Sequence, residues 1–184
     1  IEALATVLFT VLEPGDEVIV PTPFFPAYSI QIALADGILQ TVPCRFENEF
    51  KLKVEDLEAA ITPRTRLLLL NSPNNPSGAV MTRKDLMDIA RLARERDLLV
   101  VSDECYEKFL YEGEHVSIAS LPGMRERTLV ISAASKTFSM TGWRVGWIVM
   151  PPEIKPYAAK CHQHLTTCVT SFAQAGVAEA LRNA

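Results

Sequence analysis

Short, continuous apolar runs separated by stretches with helical spacing constrain this chain more than any other feature. Residues 66–70 place four leucines in succession after Arg66. A strand that shows leucine to both sides needs cover on both sides, which is the condition of a parallel strand inside an α/β sheet. Comparable runs recur at about 17–20, 39–42, 98–102, 128–132 and 144–150. Between several of them the apolar residues fall at helical spacing: Leu4, Leu8, Val11 and Leu12; Val54, Leu57, Ala60 and Ile61; Leu86, Ile89, Ala90 and Ala93. Pro14-Gly15, Gly37 and Pro63 punctuate these patterns, and Thr82 with Asp85 forms a capping-box-like start to a helix over 82–97. A long helix is expected from about Glu153 to the end of the chain. The pattern predicts an α/β fold with a mainly parallel sheet. It contains no repeat of fixed period, no low-complexity tract and no interdomain linker.

Charge and composition narrow the partners. The net charge is −4, from 18 Lys and Arg against 22 Asp and Glu, without a basic cluster. That balance argues against nucleic acid or an anionic membrane as the main partner, although a small phosphorylated ligand needs only local positive groups. No apolar run approaches the ~18 residues of a membrane span, and the start has no signal-peptide pattern, so a soluble, cytoplasmic protein is expected. Cys44, Cys105, Cys161 and Cys168 form no C-x-x-C pair, and His162 and His164 are two apart on a predicted helix, where they do not share a face. No metal site is expected. The chain opens on Ile1 inside an amphipathic pattern and is expected to be part of a longer protein.

In open α/β sheets, ligands bind beyond the carboxyl ends of the strands. Three of the predicted ends are marked. The run 66–70 leads into Asn71-Ser72-Pro73-Asn74-Asn75-Pro76-Ser77-Gly78, the run 98–102 into Asp103-Glu104-Cys105-Tyr106, and the run 128–132 into a polar, Gly-containing loop with Ser135, Lys136 and Arg144. An amine at a strand end beside hydroxyls and a guanidinium suits Schiff-base chemistry with an aldehyde cofactor, with Ser135 and Arg144 as phosphate ligands. If that cofactor is pyridoxal 5'-phosphate, Asp103 can pair with the protonated pyridine nitrogen, and Asn75 and Tyr106 can donate to the ring's phenolate oxygen. Lys136 then holds the cofactor and also moves a proton as general base and acid. Each piece alone has a plainer reading: turn chemistry for 71–78, a helix cap for Asp103, core for Phe24 and Phe25, and an ion pair for Arg144. Their ordered coincidence favours the site.

The stretches 14–18, 21–28, 71–78, 103–106 and 135–146 together resemble the class I and II aminotransferases of pyridoxal phosphate fold type I. The run Lys136-Thr-Phe-Ser-Met-Thr-Gly-Trp-Arg-Val-Gly is most similar to the aspartate and aromatic aminotransferase branch. The resemblance implies a three-layer α/β sandwich around a mainly parallel mixed sheet, with residues 1–184 as part of the large cofactor-binding domain. It also implies an N-terminal arm, a first strand, a phosphate-binding Gly-rich turn and a small domain outside this chain, which by itself is expected to be poorly active. Residue by residue, it makes Lys136 the Schiff-base lysine and Asp103 the pyridine-nitrogen partner. Asn75 and Tyr106 become the phenolate partners, Ser135 and Arg144 the phosphate ligands, and Phe25 the aromatic that stacks on the ring. Ala133 stands where many relatives carry a phosphate-binding serine. The implied reaction is ping-pong transfer of an amino group between an amino acid and a 2-oxo acid, in a homodimer. A carbon–sulfur β-lyase, or a non-enzymatic aminotransferase-like domain of a transcriptional regulator, shares the core motifs. A dinucleotide-binding reading lacks its G-x-G-x-x-G.

Overall fold

A computed structural model describes residues 1–183. Its strands are β1 (Glu17–Thr22), β2 (Ile38–Pro43), β3 (Thr65–Asn71), β4 (Leu99–Asp103), β5 (Thr128–Ala133) and β6 (Gly146–Val149). They form one sheet in the order β2-β1-β3-β4-β5-β6, with the first five mutually parallel and β6 antiparallel to β5. The helices are α1 (Glu2–Val11), α2 (Ala27–Leu34), α3 (Val54–Ala60), α4 (Arg83–Glu95), α5 (Ala134–Thr137), α6 (Lys155–Thr166) and α7 (Ser171–Arg182). The α/β class and the mainly parallel sheet are as the apolar pattern predicts, and the sheet is mixed, as the family resemblance implies. Among the described residues, no helix is long and apolar enough to cross a membrane.

The consecutive leucines of β3 work because successive side chains of a strand point to opposite faces. Leu68 and Leu70 pack with Leu57 of α3 and Leu86, Ile89 and Ala93 of α4. Leu67 and Leu69 pack on the other face with Leu4, Val7 and Leu8 of α1 and Tyr28 and Ile32 of α2. Helices therefore cover both sides of the sheet and make three layers. α4 begins on a complete capping box: the Asp85 N–H donates to Thr82 Oγ1 (3.2 Å), and the Thr82 N–H donates to Asp85 Oδ2 (2.9 Å).

Two expectations need correction. The single closing helix is two helices, α6 and α7, separated at Thr167, whose φ is +67°. A left-handed backbone cannot continue an α-helix, and the β-branched Thr167, Val169 and Thr170 disfavour it locally. The polar loop before Arg144 is also more regular than a loop. β5 runs through Ala133 into the single turn of α5, closed by Phe138 N–H to Ala134 C=O (3.1 Å), and Thr141–Trp143 adds a 3-10 turn. Residues 134–138 contain neither glycine nor proline, so nothing in them opposes a turn of helix. Gly146 then brings the chain back against β5. A Cβ at that position would stand 2.9 Å from the Ser132 carbonyl oxygen.

At the amino end of β1 the fully buried Glu17 carboxylate ties the start of β1 to the 62–65 segment that leads into β3. Oε1 accepts from Arg64 Nε (3.0 Å) and Nη2 (2.7 Å), and Oε2 accepts from Thr62 Oγ1 (2.5 Å) and Thr65 Oγ1 (3.3 Å). The Thr62 hydroxyl holds the Glu17 pKa below its ordinary value; burial opposes this and the Arg64 guanidinium reinforces it. The contribution of Glu17 to stability is thus complete above its ordinary pKa of 4.5 and is lost as pH falls through the lower folded value. Arg64 is largely exposed, which weakens the ion-pair part. Glu17→Gln is expected to lower unfolding free energy by about 2 kcal/mol at pH 7. In urea titrations the gap between variant and wild type should narrow toward pH 3; a constant gap would show that the charge is irrelevant.

Candidate active site

The chain leaves β1 to one side, forming β2 through α2, and returns through α3 to form β3 on the other side of β1. The carboxyl ends of β1 and β3 therefore flank the point where the strand order reverses, the usual ligand position in such sheets. The Pro-rich corner after β1 carries Phe24, Phe25 and Tyr28, and the segment after β3 carries Asn75. The parallel ladder places Asn71, the last residue of β3, opposite Asp103, the last of β4.

Asn71 converts this register into side-chain positions. Its Nδ2 donates to the Asp103 carbonyl (2.9 Å), while its Oδ1 accepts from the Asn75 N–H (2.8 Å). The turn after β3 is thus fastened to the end of β4. Asn75 Nδ2 then donates to the Tyr106 hydroxyl (3.3 Å), and Lys136 Nζ stands 5.8 Å from the centre of the Tyr106 ring. That separation is within the range of a cation–π contact. Asn75, Tyr106 and Lys136, far apart in sequence, form one half-buried group.

Asp103 lies beside them with a hydrogen-bond donor on each oxygen. Tyr28 Oη donates to Oδ2 (2.7 Å) and the Cys105 N–H donates to Oδ1 (3.1 Å). Burial, and next the Asp103 charge, push the Tyr28 phenol far above the ordinary tyrosine range, and the same two causes raise the Cys105 thiol. Both groups therefore stay neutral beside the carboxylate. Among the described residues Asp103 has no Lys, Arg or His partner in an ion pair. Phe25 meets Tyr28 edge-on, with ring centres 5.8 Å apart, and Phe24 stacks on it at 6.3 Å.

Ser135 precedes Lys136 within α5 and is half-buried. Arg144 is exposed, has a φ of +55°, and donates from Nη1 to the Thr141 carbonyl of its own turn (2.6 Å). The structure thus brings Asn75, Asp103, Tyr106 and Lys136 together at adjoining strand ends, with Phe25 beside Asp103 through Tyr28. Arg144 makes no hydrogen bond to that group. Two residues gain importance that sequence reasoning did not assign. Tyr28 ends the 21–28 stretch with no role of its own in the sequence reading, and its bond to Asp103 spans 75 residues. Asn71 read as part of a turn, and its bridging role follows only from the β3–β4 register.

A family model described as Aminotransferase class I and II matches residues 1–184. The chain belongs to this family. It is 46% identical over 177 residues to aromatic-amino-acid aminotransferase 2 of Thermococcus litoralis, a match covering 96% of this chain and 46% of that protein. It is also 46% identical over 173 residues to an aspartate aminotransferase of Pyrococcus abyssi, covering 94% of this chain and 44% of the relative. The aromatic aminotransferase structure from Pyrococcus horikoshii superposes with a TM-score of 0.96 at 45% identity, over 98% of this chain and 48% of that one. The chain spans about half the length of the curated relatives it matches.

Within this aminotransferase-family chain, the Tyr28–Asp103 bond can be tested without any ligand. Tyr28→Phe keeps the ring and removes the donor. It is expected to cost about 1–2 kcal/mol in urea unfolding at pH 7, the range for a hydrogen bond to a charged group that is partly solvated. An unchanged midpoint would mean that Asp103 draws nothing from the phenol.

Proposed function

We propose that this chain carries the cofactor-binding and proton-transfer residues of an aminotransferase that uses pyridoxal 5'-phosphate to move an amino group between an amino acid and a 2-oxo acid. One observation carries the reading: Asn75, Asp103, Tyr106 and Lys136 converge at the carboxyl ends of β3, β4 and β5. The residues fit the group chemically. A carboxylate with two neutral donors and no cation of its own is matched to a protonated ring nitrogen. An amine beside a tyrosine and an asparagine is matched to an aldehyde flanked by a phenolic oxygen. The named relatives support transfer rather than elimination or mere binding.

When bound, pyridoxal 5'-phosphate supplies an aldehyde that condenses with amines and a ring that withdraws electrons from the attached carbon. The residues do the rest. Asp103 holds the proton on the ring nitrogen, and Tyr28 and the Cys105 N–H keep that carboxylate aimed. Asn75 and Tyr106 donate to the phenolic oxygen. Lys136 would anchor the cofactor through Nζ and, when that amine is free, would take and return a substrate proton there as general base and acid. Ser135 and Arg144 bind the phosphate; among the described residues only Nη1 of the Arg144 guanidinium has a hydrogen-bond partner, so other donors remain for an anion. Phe25 covers a ring face. The same reading makes the full-length protein a homodimer.

Borohydride reduction of the cofactor-loaded full-length protein, followed by peptide mapping, is expected to label Lys136 and to label nothing in Lys136→Ala. Label on another lysine sinks the assignment. Incubation with amino acids and 2-oxoglutarate should yield glutamate. Asp103→Ala should keep the label but slow turnover by about two orders of magnitude, the scale of losing one preorganised electrostatic partner.

A further inference from the structure

Glu104 follows Asp103 but serves the opposite face of the sheet. Val100 packs on the α3–α4 side and Val101 on the α1–α2 side. Continued alternation puts Ser102 and Glu104 on the first side and Asp103 on the second. The Glu104 carboxylate is buried and fully engaged. Oε1 accepts from Ser102 Oγ (2.8 Å) and Ser117 Oγ (2.7 Å), and Oε2 meets His115 Nε2 (2.9 Å). Val116 and Ile118, flanking Ser117, are buried in the same face. One carboxylate therefore joins the outgoing and returning ends of the excursion 105–114, whose tip at Tyr111, Glu112, Gly113 and Glu114 is exposed.

The backbone of Glu104 is equally fixed. Its N–H donates to the Ile131 carbonyl (2.8 Å), extending the β4–β5 ladder by a residue, and its carbonyl accepts from the Glu107 N–H (3.0 Å). The second bond closes a four-residue turn with Cys105 and Tyr106 at its centre. Tyr106 thus projects from a turn whose first residue is clamped through both main chain and side chain. An apolar residue would fill the same space at no desolvation cost. A buried carboxylate with three partners instead ties the geometry to one arrangement, because loss of any donor leaves a buried charge underbonded.

We propose that Glu104 is a positioning residue: its carboxylate, gripped by Ser102, Ser117 and His115, holds the 104–107 turn so that Tyr106 stays between Asn75 and Lys136. The consequence for catalysis rests on the aminotransferase reading above, whereas the staple itself does not. Ser117→Ala, which removes one donor, and Glu104→Gln, which removes the charge, test it. In the cofactor-free full-length protein, hydrogen exchange of amides in 105–114 should speed up about tenfold or more while β3, β4 and β5 keep their protection. In the cofactor-loaded full-length protein, the pH at which the visible absorbance titrates should move upward in Ser117→Ala, the shift expected if the turn no longer holds Tyr106 in donating position. In a Tyr106→Phe background the same substitution should leave that pH unmoved. Unchanged exchange in both variants overturns the proposal, as does an equal spectral shift with and without the Tyr106 hydroxyl. If Glu104→Gln does not fold, Ser117→Ala decides alone. A wild-type full-length protein that shows no visible band on loading would sink the functional reading instead, and the exchange measurement would still judge the staple.

Discussion

The parallel pairing of β3 with β4 is the constraint from which the site follows. With Leu67 opposite Leu99, the ladder sets Asn71 opposite Asp103, and the two strands end level. The β4–β5 pairing sets Asp103 opposite Ile131, so β5 ends two residues further on and hands the chain directly to the turn that bears Lys136. Parallel strands deliver all their carboxyl ends to one edge, and antiparallel pairing would have sent alternate ends to opposite edges. A shift of one residue would turn Asp103 to the other face of the sheet and exchange it with Glu104. The buried leucines of β3 hold this register, and the Glu17 cluster fastens β1 to the start of β3.

From the register upward, positions are set in steps, each by a bond to something already fixed. Asn71 is placed by the ladder, Asn75 by Asn71, and the Tyr106 hydroxyl by Asn75. Asp103 is placed by its strand and trimmed by Tyr28 and the Cys105 N–H. Tyr28 and Cys105 beside that carboxylate are held neutral by burial and by the carboxylate itself. On the opposite face the Glu104 carboxylate is gripped by Ser102, Ser117 and His115. Two adjacent acids at the end of β4 thus meet different partners because the alternation of the chain turns them to opposite faces.

Much of the fold was legible because the signals for it are local. Four successive leucines require cover on both faces, and Thr82 with Asp85 marks a helix start whatever lies elsewhere. The failures were local signals overruled. The expected closing helix broke at Thr167, where a positive φ interrupts a stretch that otherwise reads as helical, and the loop bearing Lys136 took a turn of helix because nothing within 134–138 prevents one. The polar residues of the site were legible as a set of marked strand ends, but Tyr28 and Asn71 were not. Their partners lie 75 and 32 residues away, and a hydrogen bond at that separation leaves no periodicity to read.

The sequence by itself therefore determined the layered α/β architecture, the family, and which side chains were available for chemistry at the strand ends, since each depends on residue type and short-range spacing. Tertiary structure alone decided the strand order with its reversal between β1 and β3, the pairing of Tyr28 with Asp103, and the gathering of Ser102, Glu104, His115 and Ser117 around one carboxylate. Those outcomes depend on register and on which face each residue turns to, and both are set by packing between segments distant along the chain.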